Sequence, residues 1–352
     1  MDGGTFLQNQ WYVAATSAEI NRTPFARRIC GQPMAMFRRQ DGSVAVLADR
    51  CAHRLVPLSK GELVGDEIQC GYHGFRFDGS GACTLITTKD AVPRGFGVRA
   101  YATVERHALI FVWLGDVAAA DPALIPDFSL NQAPGWTMVP GYTYVKGHHQ
   151  LLMDNVLDLT HVVFTHKTTL AGGGVTDNPL EVTVTGDRVH AQRVMRNVDT
   201  APIFKAAKGL SGKIDRWQIL DFIPPIYMVA NLGALPAGGN EELGKVPTHL
   251  IYNSFTPETE RSTHYFWQVV RCWSLDDQKV SDMYREMIVL AFDEDARIIE
   301  AQQERIDDDP AGGVLASFSG DRAGQEARRI IARMLAEEAQ ARGMKPRRER
   351  AG

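Results

Sequence analysis

Over roughly the first 115 residues, apolar positions come in short runs. These are Trp11-Tyr-Val-Ala-Ala, Met34-Ala-Met-Phe, Val44-Ala-Val-Leu and Ala108-Leu-Ile-Phe-Val-Trp-Leu, punctuated by Arg39-Gln-Asp-Gly and Asp78-Gly-Ser-Gly. Short apolar runs between turn residues predict a small antiparallel β domain. Ala118 to Pro140 is rich in Ala and Pro and reads as the crossing into a second domain, so the expected division is 1–117 and 118–352. The second part predicts a helix around 150–161, strands through about 180–272 and a long helix over about 277–305. Ile288, Phe292, Ala296 and Ile299 form one apolar stripe along that last helix. The fold class expected is α+β. No internal repeat is evident, and Lys345-Pro-Arg-Arg-Glu-Arg reads as a solvated tail.

Composition narrows the function classes. The 352 residues are 44% hydrophobic and 23% charged, ordinary for a soluble globular protein with two cores. A net charge of −4 leaves no basic footprint for nucleic acid. No apolar run approaches the ~18 residues of a membrane span, and the N-terminus has no basic-then-apolar signal pattern. Five cysteines are present. Once Cys51 and Cys70 are assigned to a metal site, Cys30, Cys83 and Cys272 form an odd set that argues against a disulfide framework and for a reducing cytoplasm.

Those two cysteines carry the strongest chemical signal. Cys51-Ala-His53 is followed, after sixteen intervening residues, by Cys70-Gly-Tyr-His73. Each half offers one thiolate and one imidazole from a short loop. A zinc ion can take two Cys and two His, although zinc sites more often pair like with like. The mixed pairs suit a Rieske [2Fe–2S] cluster, with Cys51 and Cys70 on one iron and His53 and His73 on the other.

A second constellation is Asn155-Val-Leu-Asp158-Leu-Thr-His161-Val-Val-Phe-Thr-His166. Mononuclear iron that activates oxygen needs two imidazoles and one carboxylate on one face, with the other positions open. Five residues apart, His161 and His166 stand about 140° apart on an unbroken helix, so they share a metal only if the helix ends between them. The β-branched Val162, Val163 and Thr165 allow such a break; otherwise one histidine belongs to the core and the other to solvent. Phe292-Asp-Glu-Asp295 offers the carboxylate. Asp295 falls beside the apolar stripe, where a metal would compensate its burial, whereas Asp293 and Glu294 are expected to face water.

The chain resembles the oxygenase component of Rieske non-haem iron oxygenases, within them the vanillate O-demethylase and dicamba monooxygenase group. The resemblance rests on Cys-Ala-His-Arg, Cys-Gly-Tyr-His-Gly-Phe, the Asn-x-x-Asp-x-x-His-x-x-x-x-His string and Phe-x-Glu-Asp ahead of Ile-Ile-Glu-Ala-Gln. It extends to Asn9-Gln-Trp-Tyr-Val-Ala-Ala, Val104-Glu-Arg-His-Ala-Leu-Ile-Phe-Val-Trp-Leu-Gly-Asp and Phe255-Thr-Pro-Glu-Thr. It implies a Rieske β domain, a helix-grip catalytic domain and a ring-shaped homotrimer. A separate NAD(P)H-dependent reductase or ferredoxin would supply electrons through the cluster to the iron. With O2, a C–H bond of a small aromatic acid such as vanillate would be hydroxylated; a hydroxylated methoxy group collapses to a phenol and formaldehyde. Hydroxylation of another aromatic or alicyclic compound is the alternative, and a non-catalytic Rieske electron carrier a remoter one.

The resemblance also assigns roles. Asp158 would bridge His73 of one copy and His161 of the next, the alternative being a helix-surface acid. Asn155 belongs to the same catalytic string. Asn231, in Met228-Val-Ala-Asn, matches a substrate-contacting position. Asn253 stands where relatives have a substrate-binding histidine, and His249, four residues upstream, is a candidate to compensate. Glu286 falls near the place of a tryptophan that lines the dicamba pocket. From its residue type, Arg271 is expected in a structural salt bridge, pairing with a substrate carboxylate being the alternative, and His148 and His149 are expected in structural roles. Ala171-Gly-Gly-Gly-Val lacks the strand-to-helix context of a dinucleotide fingerprint and reads as a flexible loop, so the chain is expected not to consume a nicotinamide by itself.

Overall fold

The computed structural model describes residues 6–88, 91–239, 242–309, 316–341 and 343. The predicted basic tail at Lys345 to Arg350 lies outside the described residues. The chain divides between Ile125 and Pro126 into two compact units. Residues 118–125 stay with the first, where Trp11 Nε1 donates to the Asp121 carbonyl and Arg106 to that of Pro122.

The first unit contains β1 (Gln10–Thr16), β2 (Phe25–Ile29), β3 (Gln32–Arg38), β4 (Val44–Ala48), β5 (Glu62–Val64), β6 (Glu67–Gln69), β7 (Arg76–Phe77), β8 (Cys83–Leu85), β9 (Thr103–Arg106) and β10 (Leu109–Leu114). They form three antiparallel sheets, ordered β1-β10-β9, β2-β3-β4 and β5-β6-β7-β8. The apolar run at 109–114 is the middle strand of its sheet and is buried on both faces, which is why it reads as continuous rather than alternating.

Two loops of nearly identical design leave this unit, one after β4 and one between β6 and β7. In each, the cysteine N–H donates to the carbonyl five residues on, and the N–H four residues on returns to the cysteine carbonyl. The pairs are Cys51 to Val56 with Leu55 to Cys51, and Cys70 to Phe75 with Gly74 to Cys70. The residue four beyond the cysteine has positive φ in both, +59° at Leu55 and +71° at Gly74. That backbone suits glycine and strains leucine.

The second unit contains β11 (Thr137–Val145), α1 (His149–Leu157), α2 (Val162–Thr165), β12 (Glu181–Thr185), β13 (Arg188–Asp199), α3 (Pro202–Lys208), β14 (Lys213–Ile223), β15 (Tyr227–Pro236), β16 (His249–Thr259), β17 (Ser262–Arg271), α4 (Gln278–Asp308) and α5 (Arg322–Ala341). Its seven strands form one antiparallel sheet in the order β11-β17-β16-β15-β14-β13-β12, against which α4 and α1 pack. The α+β class expected from the pattern is what the chain adopts. Among the described residues no helix is long and apolar enough to cross a membrane.

β11 and α5 are among the elements without a clear signal. β11 begins inside the stretch read as a crossing. Its Pro140 is tolerated because the strand is at the sheet edge, and the Trp267 ring occupies the space where a Cβ on Gly141 would stand. α5 buries Ala323, Gly324 and Ala327 beside Ile330 and Ile331, so small residues make up much of its inner face. It docks on α1 through an Arg328–Asp154 ion pair. The Gly-rich segment also differs from expectation. A Cβ on Gly172 would come within 2.8 Å of Arg216 Nη1 and one on Gly173 within 3.0 Å of the Asp199 nitrogen. These glycines permit close packing rather than supply a free loop.

The matched turns predict opposite outcomes for two substitutions. Leu55→Gly relieves a left-handed leucine and should leave stability unchanged or raise it by up to ~1 kcal/mol. Gly74→Ala introduces that strain and a 3.0 Å approach to Thr87 Oγ1, and should cost about 1 kcal/mol or more. Thermal melting of the two variants checks both signs.

Candidate metal centres and cavity

In the first unit, Cys51 and Cys70 are buried in the same core cluster as Phe37, Leu58 and Ile68. His53 and His73 are exposed, with ring centroids 4.8 Å apart. The His53 ring stacks on Phe75, 6° from parallel, at 4.9 Å. Burial and the adjacent Cys70 push the Cys51 thiol up, while the N–H groups of His53 and Arg54 favour its thiolate. Those N–H groups point at sulfur because of the turn, so the loops are built for thiolates that a cluster would stabilise. Two buried sulfurs and two exposed imidazoles on paired loops fit an asymmetric two-iron cluster. All five cysteines are free of disulfides.

In the second unit, α1 ends at Leu157, and Asp158 leaves helical geometry with φ −117° and ψ 91°. The break expected between His161 and His166 lies instead on either side of them. A single helical turn, α2, separates the two, with His161 at its start and His166, φ −104° and ψ 47°, at its end. Their rings are 5.2 Å apart, and both face Asp295 on the buried side of α4. His161 Nε2 is 3.4 Å and His166 Nε2 is 3.1 Å from Asp295 Oδ1. Donor atoms at right angles on bonds of about 2.1 Å stand about 3 Å apart, so each histidine's separation from Asp295 fits a shared ion. All three ligand atoms lie within 4.8 Å of one another.

The far nitrogens fix the tautomers. His161 Nδ1 donates to the Asp158 carbonyl at 2.7 Å and His166 Nδ1 to Glu294 Oε2 at 2.8 Å. Neither partner can donate, so Nδ1 carries the proton on both rings and Nε2 presents its lone pair. Glu294, expected in solvent, is therefore a support of the site, because one residue back from Asp295 the helix turns toward His166. Asp293 is exposed as expected. Burial disfavours charged His166, but Asp295 and Glu294 outweigh it and raise its pKa.

Asn155 Nδ2 donates to Asp295 Oδ1 at 3.1 Å and so orients the carboxylate. The Asp158 carboxylate accepts from Thr160 N–H at 2.9 Å and caps the following turn. Its contact with His161 is through the backbone carbonyl.

A cavity reaches the triad at Asp295. Its wall includes Asn155, Arg216, His249, Asn253, Tyr265 and Asp295, with Ile203, Leu232, Ile251 and Phe292 as apolar lining. Asn231 is not on that wall. Strand alternation sends Ala230 and Leu232 to the cavity, while Asn231 accepts from Trp217 Nε1 and donates to the Gly244 carbonyl. Asn253 Nδ2 donates to the Met228 and Ile251 carbonyls, and its Oδ1 accepts from Tyr265. His249 Nδ1 donates to the Leu232 carbonyl at 3.1 Å, leaving Nε2 buried without a partner. Glu286 is exposed, and its neighbours on α4, Tyr284 and Ile288, line the cavity instead. Arg271 forms no salt bridge among the described residues; it donates to the carbonyls of Trp273 and Ser274 and to Ser281 Oγ, tying the turn to α4. His148 caps α1 by accepting from Gln150 N–H.

Two outcomes follow. Glu294→Gln removes the charge behind His166 and should weaken divalent-metal binding about 10-fold, read by metal titration. Burial lowers the His249 pKa to about 4, so the unfolded chain binds the extra proton. Stability is then lost as pH falls from about 6.5 toward about 4, by up to ~3 kcal/mol from this group; the pH dependence of melting across that window should be smaller in His249→Gln, the remainder coming from the buried His148 and His149, whose pKa values are also lowered.

Known proteins share this arrangement. Residues 10–101 match the Rieske [2Fe-2S] domain model, and residues 145–337 match the vanillate O-demethylase oxygenase C-terminal domain model. The toluene-4-sulfonate monooxygenase system iron–sulfur subunit of Comamonas testosteroni is 35% identical over 85% of this chain and 88% of its own length. The vanillate O-demethylase oxygenase subunit of Pseudomonas sp. strain HR199 is 34% identical over 96% and 97%. Crystal structures of dicamba monooxygenase superpose closely. The one bound to 3,6-dichlorosalicylic acid has a TM-score of 0.91, 34% identity and coverage of 95% of this chain and 99% of that one. The one with non-heme iron and dicamba has a TM-score of 0.82, 32% identity and coverage of 96% and 99%. With both domain models matched in order and the fold shared along nearly its whole length, the chain belongs to the Rieske oxygenases, as an oxygenase component of the vanillate O-demethylase and dicamba monooxygenase family.

Proposed function

We propose that this oxygenase removes the methyl group of a methoxylated aromatic acid of the vanillate type. The observation that carries the reading is the convergence of His161, His166 and Asp295 at the end of a largely apolar cavity. In this reading Cys51, His53, Cys70 and His73 hold the [2Fe–2S] cluster, and His161, His166 and Asp295 hold mononuclear iron. Bound there, Fe(II) with open positions supplies the activation of O2.

The chain's own residues do the rest. The Asp158 carbonyl and Glu294 accept the Nδ1 protons of His161 and His166, which leaves Nε2 of each neutral ring for the metal, and Asn155 holds the carboxylate. Ile203, Ile251 and Phe292 exclude water around a ring, and with Asn253 and His249 they form the substrate wall. His249 is neutral and offers an acceptor to a ring hydroxyl. Asp158 is the electron bridge between copies of a ring-shaped homotrimer. Its carboxylate, fixed by the Thr160 N–H, is held ready for a partner imidazole. The relatives are components of multi-component systems, and a separate NAD(P)H-dependent reductase or ferredoxin in the cytoplasm serves this chain. Hydroxylation of a ring methyl group is the second reading, favoured by the 35% identity to a toluene-4-sulfonate monooxygenase subunit.

Oxygen uptake and formaldehyde release are to be followed across a series of methoxybenzoates with a surrogate reductase. Stoichiometric formaldehyde is expected, and none without the reductase. With 4-toluenesulfonate added to the series, oxygen uptake yielding a hydroxymethyl product without formaldehyde would select the second reading. Asp295→Ala should keep the Rieske absorption and abolish uptake, while His73→Ala should remove the absorption. Asp158→Asn should leave both centres loaded and slow the single-turnover oxidation of the reduced cluster.

A further inference from the structure

One charged side chain on the cavity wall has no role in the chemistry described. Arg216 lies on β14 and is 6% exposed. Its Nη2 donates to the Leu170 carbonyl at 3.3 Å, and its guanidinium sits 5.5 Å from the centre of the Phe204 ring. Nε and Nη1 are buried with no acceptor. Among the described residues Arg216 forms no ion pair, and the adjacent Asp215 is committed to Arg196. Arg193, the neighbouring charge, has the same sign and is itself satisfied by the Asn178 carbonyl, Gln218 and Thr160. Burial and Arg193 lower the Arg216 pKa to about 10, so the group stays cationic at neutral pH.

A desolvated guanidinium without a counter-charge is strongly unfavourable. An anion entering the cavity reverses that, because it supplies the missing counter-charge to a guanidinium on the wall and the apolar lining strengthens the attraction. The amides and imidazole of the same wall bring no positive charge to that role. Asn155 donates to Asp295, Asn253 donates to two backbone carbonyls, and His249 presents only a lone pair. The segment carrying Leu170 and Gly172 wraps the guanidinium closely, holding it in place before a ligand arrives.

We propose that Arg216 anchors an oxyanion, carboxylate or sulfonate, on the aromatic substrate, and thereby sets which end of the ring faces Asp295, His161 and His166. This deepens the demethylase reading and rests on that cavity being the substrate site.

The test is calorimetric binding of 4-methoxybenzoate, 4-toluenesulfonate and the neutral 4-methoxybenzamide to the holoenzyme, in wild type, Arg216→Met and Arg216→Lys. Wild type should bind an anion about 30-fold or more tighter than the amide. Arg216→Met should lose that preference while binding the amide as wild type does, and should melt no lower, because it removes an uncompensated charge. Arg216→Lys should keep part of the preference, and decides the matter should the Met variant fail to fold. The carboxylate and sulfonate arms show which oxyanion the site takes. Equal binding of anion and amide by wild type, or wild-type anion affinity in Arg216→Met or unchanged affinity on both anions with a neutral side chain, overturns the proposal. Anion binding that depends on Arg216 without formaldehyde release would sink the demethylase reading and leave the anchor. Undiminished demethylation by Arg216→Met would do the reverse.

Discussion

The protonation state of two imidazoles governs the metal site of the second unit. A histidine binds a metal only through a deprotonated nitrogen, and a buried imidazole facing a carboxylate tends to hold its proton there. Here the proton is drawn to the other side of each ring, by the Asp158 carbonyl and by Glu294. That arrangement needs a helix that stops at Leu157, so that the carbonyl of Asp158 turns toward His161. It also needs α4 placed so that two consecutive acids reach two different sides of His166.

The same demand explains the scaffold around the site. Asp295 and Glu294 are useful only if α4 neither slides nor rotates. Its start is fixed by the Asp277 cap, which accepts from Lys279 and Val280 N–H, and by Arg271 reaching back from the sheet. α1 is held from its other side by α5. Asp154 pairs with Arg328, and Gly324 allows the close approach. These contacts position ligands without touching a reacting atom, as a site tolerating little displacement requires.

The first unit solves a different problem with a repeated part. Two turns of the same hydrogen-bond pattern bury the sulfurs and expose the imidazoles, so a cluster held there would be insulated at one end and open at the other. The strain at Leu55 is confined to one residue, where the opposite loop has Gly74.

Much of this was legible from the chain alone. The Cys-x-His and Cys-x-x-His pairs, the strands at 11–15, 34–37, 44–47 and 108–114, and the long helix with Asp295 on its apolar stripe depend on local spacing. Local spacing survives in any tertiary context. What spacing could not decide was whatever depends on a second element. Glu294 looked solvated because its own helix says nothing about His166, 128 residues away. Asn231 looked like a pocket residue, but β15 alternation against its neighbours turns it to Trp217. Arg216 carried no signal at all, since an arginine in a strand is ordinary until packing strips it of both water and counter-charge. Sequence determined which residues can do chemistry; only the packing of sheet, loop and helix decided which of them face one another across a space that excludes water.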